Sequence, residues 1–229
     1  LNSMGADVRG AGTDVIKIHG VDIMHGSNYA IIPDQIEAGT YMIAAAATGG
    51  NVLIKNIIPK HMEVVSSKLI RSGAEVIEYD DSIRVTRTKP LQATTLKTMP
   101  YPGFPTDLQS QMSTMLTRAK GTSIVTEGIF DNRFRYMDYL IRMGANIKVD
   151  GNVAVIQGLG NLTAAPVKAP DLRGGISLLI AGLMAEGVTE IEDIYHIERG
   201  YTDVVEKFTS LGASIKRIDV PGVELSPAL

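Results

Sequence analysis

Four times along this chain a stretch that reads as the end of a helix stops at Gly-Ala and passes straight into a stretch that reads as a strand. The closures are Leu1–Met4 with Gly5-Ala6, Leu69–Ser72 with Gly73-Ala74, Leu140–Met143 with Gly144-Ala145, and Phe208–Leu211 with Gly212-Ala213. A spacing of roughly 70 residues is the length of a whole supersecondary unit and exceeds the period of a short solenoid repeat. The first closure begins at Leu1, inside an expected helix and without an initiator Met. The sequence therefore predicts a chain cut from something larger, with a function shared with the remainder.

Each full copy opens with an Asp behind a Pro: Pro33-Asp34, Pro105-Thr106-Asp107 and Pro170-Asp171. Asp ahead of an apolar run is a helix N-cap signal, because its carboxylate takes orphan amides and suits the positive end of the dipole. The helices that follow are expected to be apolar nearly all round. Copy three places Leu172, Ile176, Leu179, Ile180 and Leu183 at helical spacing, copy two does so with Leu108, Met112, Met115 and Leu116, and copy one runs through Tyr41–Ala47. Helices of this kind belong in an interior. A Gly and a short strand come next (Val52–Ile54, Ser123–Val125, Thr189–Ile191), then an amphipathic helix. In copy one Met62, Val65 and Leu69 form its stripe, with Glu63, Ser66 and Lys68 facing away. A hairpin completes the unit, as in Asn146–Val149 and Val153–Ile156 around Asp150-Gly151, a strong turn cue.

The expected fold is α/β: an inside-out α/β barrel of three β-α-β-α-β-β repeats at about 31–88, 95–158 and 165–219, within a domain 31–229. One helix of each repeat is buried against the others and the sheets lie outside. Residues 1–30 are expected to be the tail of a preceding domain of the same kind, with Val8 and Asp14–Ile18 in its hairpin.

Composition narrows the function. A net charge of −3 and a pI near 5.8 point away from nucleic acid and acidic membranes, and no apolar run reaches the roughly 18 residues of a membrane span. Zero Cys removes disulfides, thiolate metal sites and a Cys nucleophile, and four scattered His do not suggest a zinc or catalytic cluster. A cytoplasmic enzyme or binding protein is expected. Converging helix N-termini bearing Asp34, Asp107 and Asp171 would favour anions, and Arg133, Arg173 and Arg199 stand close by in sequence. The planar guanidinium fork matches carboxylate and phosphate. Capping alone would also place Asp at these helix starts, but Phe104-Pro105-Thr106-Asp107 is more elaborate than a cap requires.

Five segments carry a resemblance: Pro33–Thr40, Phe104–Gln109, Phe130-Asp131-Asn132-Arg133-Phe134, Asp171-Leu172-Arg173 and Tyr195–Tyr201. Together they resemble the UDP-N-acetylglucosamine 1-carboxyvinyltransferase family, the enolpyruvyl transferases that open bacterial peptidoglycan synthesis, over about the C-terminal half of those enzymes. The resemblance implies two inside-out α/β domains of three units each. It implies transfer of the enolpyruvyl group of phosphoenolpyruvate to the 3′-hydroxyl of UDP-N-acetylglucosamine, with release of phosphate and with no metal or organic cofactor. Carried over by residue, Asp107 contacts the sugar 3′-hydroxyl and takes its proton, and Ile129 touches the UDP-sugar. Arg133, Asp171 and Arg199 surround phosphoenolpyruvate, Arg173 is a further candidate there, and Asp34 falls near the cleft between domains. The family's proton donor and a phosphoenolpyruvate-clamping Lys belong to the other domain, so this chain alone is expected to be inactive without that partner domain. Asp131 and Glu198 depart from the residues common in the family but keep the charge. The shikimate-pathway enolpyruvyl transferase and a non-catalytic module of the same fold are the alternatives.

Overall fold

All four Gly-Ala closures are the same hydrogen-bonded stop. In the computed structural model, which describes residues 1–13, 15–158 and 160–218, Gly5, Gly73, Gly144 and Gly212 have φ of +91°, +92°, +93° and +95°. Each Gly amide donates to the carbonyl three residues back (Gly73 to Ile70, 3.0 Å), and each following Ala amide to the carbonyl five back (Ala74 to Leu69, 3.0 Å). This is a Schellman closure, and its left-handed residue is why Gly stands there each time.

The chain divides into a unit Leu1–Pro33 and a unit from Asp34 onward. In the first, a short 3-10 turn precedes an antiparallel pair, β1 (Asp7–Arg9) and β2 (Lys17–His19). Asp14, the expected start of the second strand, lies outside the described residues.

The second unit holds the repeats. Copy one is α1 (Gln35–Thr48), β3 (Asn51–Lys55), α2 (Glu63–Arg71), β4 (Glu75–Glu78) and β5 (Ser82–Thr86), with sheet order β3-β5-β4. Copy two is β6 (Thr95–Lys97), α3 (Gln109–Leu116), β7 (Gly121–Thr126), α4 (Met137–Arg142), β8 (Asn146–Asp150) and β9 (Val153–Gly158), ordered β6-β7-β9-β8. Copy three is β10 (Val167–Lys168), α5 (Leu172–Met184), β11 (Ile191–Glu192), α6 (Tyr195–Glu198) and α7 (Val204–Ser210), with β10 parallel to β11. Helices α1, α3 and α5 pack on one another at the centre. Residues 38–47 of α1 and all of α3 are buried, which is the inside-out arrangement. Arg87 lays its guanidinium on the Ala46 and Ala47 carbonyls at the end of α1, a cation at the negative end of the dipole. No described helix is long and apolar enough to cross a membrane.

Several expectations are corrected. Copy one has no described strand before α1: residues 28–33 form none and are exposed, with Ile31 at 89%. In copy three the amphipathic helix is split into α6 and α7, because Asp203 takes a left-handed φ of +52° between them. No strand follows Gly212-Ala213 through residue 218, and 219 onward lies outside the described residues. The β8–β9 turn is Gly151-Asn152, since Asp150 still pairs with Val153. Ser66 is buried at 3% and does not face away. Helix α3 is not apolar all round: Gln109, Ser110, Gln111, Ser113 and Thr114 are all buried on it, tolerated because most of them bond to one another or to the neighbouring helices.

Asp34 and Asp171 are caps as expected. Asp34 Oδ1 accepts from the Ile36 and Glu37 amides (2.7 and 3.2 Å), and Asp171 Oδ1 from those of Arg173 and Gly174 (2.9 and 2.8 Å). Removing a cap of this kind loses about 1 kcal/mol. Asp171→Ala should therefore lower the urea midpoint modestly and Asp171→Asn much less; equal losses would show that the carboxylate acts other than as a cap.

Candidate active site

Asp107 is not a cap. It sits inside a 3-10 turn, Thr106–Leu108, that has no side-chain cap, and its carboxylate points to two arginines instead. Oδ1 accepts from Arg133 Nη2 at 2.7 Å and Oδ2 from Arg173 Nη2 at 3.0 Å. The Asp107 side chain is 40% exposed, whereas those of Arg133 and Arg173 are 9% and 16% exposed. One carboxylate between two guanidiniums leaves the trio with one positive charge. Arg133 also places its guanidinium 4.8 Å above the Phe130 ring. Its buried Nε has no hydrogen-bond partner among the described residues.

The sequence brings these groups together through the N-terminal ends of the inner helices. Arg173 Nη1 donates to Tyr201 Oη at 3.2 Å, and Tyr201 Oη lies 2.9 Å from Thr40 Oγ1. Thr40 Oγ1 donates to the Ile36 carbonyl at 2.8 Å, so it accepts from Tyr201. The donor chain therefore runs Arg173 to Tyr201 to Thr40 to α1. Gln111 Nε2 lies 3.1 Å from Thr40 Oγ1 and 3.0 Å from the Asp107 carbonyl, and Ser110 Oγ donates to the Arg173 carbonyl at 2.8 Å. Burial raises the Tyr201 phenol above its ordinary range, so it stays a neutral donor. These contacts tie α1, α3 and α5 at the end where Asp107 stands.

The other expected site residues separate into two groups. Ile129 is 47% exposed, and its amide is fixed to Glu127 at 2.9 Å. Arg199 closes α6 with its amide on the Tyr195 carbonyl at 3.2 Å and is exposed, and its side chain makes no hydrogen bond or ion pair among the described residues. The chain turns inward two residues later, so that Tyr201 and not Arg199 reaches the trio. Gly200 permits that path: a Cβ there would stand 2.7 Å from Leu172 Cδ2 at the start of α5. Asp34 and Asp171 serve their helices, as above. Sequence reasoning passed over Thr40, Gln111, Tyr201 and Glu127. Polar residues at inward positions of α3 are the signal that could have found Gln111; nothing local marks Thr40.

Known proteins share this sequence pattern and fold. A family profile described as EPSP synthase (3-phosphoshikimate 1-carboxyvinyltransferase) matches residues 1–208. A UDP-N-acetylglucosamine 1-carboxyvinyltransferase of Desulfofundulus thermocisternus is 54% identical over 100% of this chain and 93% of its own length. The chain belongs to the UDP-N-acetylglucosamine 1-carboxyvinyltransferase family. Another member, UDP-N-acetylglucosamine 1-carboxyvinyltransferase 3 of Caldanaerobacter subterraneus subsp. tengcongensis, is 57% identical over 95% of the chain. The chain spans only 52% of that relative's length. Among solved structures, the enolpyruvyl transferase NikO from Streptomyces tendae superposes with a TM-score of 0.82 at 27% identity, covering 94% of this chain and 52% of NikO. The inside-out α/β fold is thus the enolpyruvyl transferase fold.

Proposed function

We propose that this chain contributes the acceptor side of an enolpyruvyl transfer from phosphoenolpyruvate to the 3′-hydroxyl of UDP-N-acetylglucosamine, the first committed step of bacterial peptidoglycan synthesis, in the cytoplasm. The observation that carries the reading is the half-exposed Asp107 carboxylate between two largely buried guanidiniums. An incoming phosphate or carboxylate competes with Asp107 for Arg133 and Arg173, and the Arg133 Nε–H is a further donor for it. As the arginines turn to the oxyanion, Asp107 is released to take the acceptor proton. The sugar oxygen then bonds to C2 of phosphoenolpyruvate while C3 gains a proton, and the tetrahedral intermediate loses phosphate as C3 gives a proton back, leaving an enolpyruvyl ether. A general base and paired cations are the catalytic means here. The acid that protonates C3, and a Lys on phosphoenolpyruvate, come from the portion of the family enzymes that this chain does not span. Ile129 contacts the UDP-sugar, Asp171 and Arg199 complete the phosphoenolpyruvate surround, and Asp34 borders the cleft.

The description of the matching profile favours shikimate 3-phosphate as a second acceptor to consider. A chimera in which this chain replaces the matching portion of the Caldanaerobacter relative decides between them. Phosphate release is expected with UDP-N-acetylglucosamine; release with shikimate 3-phosphate alone would overturn the reading. The chain by itself is expected to release none.

A further inference from the structure

Glu127 follows β7 and is 3% exposed, a place where a carboxylate persists only with its oxygens bonded. Its Oε1 accepts from Thr98 Oγ1 at 2.6 Å and from the Ile129 and Phe130 amides at 2.9 and 3.1 Å. Its Oε2 accepts from Thr106 Oγ1 at 3.0 Å. Its own amide donates to the Asn152 carbonyl at 2.8 Å, and its carbonyl accepts from Asn152 Nδ2 at 3.0 Å. One buried carboxylate thereby joins the segment after β6, the turn that carries Asp107, and the turn that carries Ile129 and leads to Arg133.

We propose that Glu127 is a positioning residue: it holds the Asp107 turn and the Ile129 turn on a single anchor, so that the base and the sugar contact keep one separation. This rests on the function proposed above. The anchor is needed because displacing a reacting group by about 1 Å can lose 10²-fold in rate, and apart from Glu127 the two turns are bonded through the Arg133 side chain. Arg133 Nη2 reaches Asp107 Oδ1 at 2.7 Å and the Thr106 carbonyl at 3.4 Å, but the proposed reaction turns that guanidinium to the oxyanion, whereas Glu127 keeps its bonds to both turns. Geometry matters here more than charge. The carbonyl of a Gln could still accept the three Oε1 bonds, and its NH₂ could donate to the Thr106 hydroxyl oxygen. An Ala would leave two hydroxyls and two amides without their acceptor.

The test is amide hydrogen exchange by NMR on the full chain, with UDP-N-acetylglucosamine titrated into each variant. Thr106→Val removes one bond to Glu127 and touches neither Ile129 nor Phe130. It should speed exchange at those two amides about five-fold while core amides such as Ile156 stay within about two-fold. Glu127→Gln should stay within about two-fold at all of them, which rescue by shape predicts. Unchanged rates at Ile129 and Phe130 in Thr106→Val would show the turns to be independent and overturn the proposal. The same variant should weaken the nucleotide sugar about ten-fold; faster exchange with unaltered affinity would reduce Glu127 to a structural residue and also overturn it. Should Glu127→Ala fail to fold, Thr106→Val and Glu127→Gln still decide. If the wild-type chain shows no shift at Ile129 with the nucleotide sugar, the Ile129 assignment fails, and the exchange rates still judge the anchor.

Discussion

Asp107→Asn in the chimera with the Caldanaerobacter relative is expected to lower phosphate release by about 10²–10⁴-fold, the span of general-base catalysis. Asn keeps the volume and one acceptor oxygen but cannot take a proton. The fold should survive, because Asp107 caps no helix and its side chain is 40% exposed. A second readout separates the base from a mere orienter of arginines. If Asp107 competes with the substrate oxyanion for Arg133 and Arg173, then Asp107→Asn should bind inorganic phosphate more tightly than wild type, by about ten-fold for one charged hydrogen-bond partner removed. If it only holds the arginines in place, phosphate binding should weaken. Turnover within three-fold of wild type, roughly 0.6 kcal/mol, would remove Asp107 from the mechanism.

Gly158→Ala should be the most disruptive small change in the molecule. A Cβ on Gly158 would stand 1.8 Å from the Ala119 carbonyl oxygen, 2.7 Å from its carbon and 3.0 Å from its nitrogen. Gly158 ends β9 opposite Gly121, and Ala119 is the fully buried turn that closes α3 and donates to the Leu116 carbonyl at 3.0 Å. The obstacle is backbone, so no rotamer can relieve it; either the end of β9 or the end of an inner helix must move. Overpacking typically loses 1–3 kcal/mol and sometimes more, and this substitution should fall at roughly 3 kcal/mol or above. Urea unfolding with an unchanged slope would measure it. A loss under 1 kcal/mol would mean that the α3 closure yields easily, contrary to its burial and bonding.

Local signals carried much of this in the sequence. Gly-Ala after a helical run reports a left-handed C-terminal residue, and Asp34 and Asp171 report caps, because both effects act within one turn of chain. Tyr41–Ala47 reports an inner helix because an unbroken apolar run has nowhere else to go. In copy two the same local signs had a second meaning, which the Phe104–Asp107 segment already marked by being more elaborate than a cap requires. Asp107 stands where a cap would, yet its partners are 26 and 66 residues away. The polar residues of α3 would suit a surface face, but they are buried and most of them are bonded inside.

By itself, then, the sequence determined the repeat, its helix closures and the inside-out layering, since backbone conformation and apolar period are properties of neighbouring residues. Only the tertiary structure decided that Arg173 and not Arg199 reaches Asp107, that Tyr201 and Thr40 carry the bond from Arg173 back to α1, and that Glu127 anchors two turns. Those contacts join residues far apart in the chain. Their existence depends on which helix ends meet when the three inner helices close on one another.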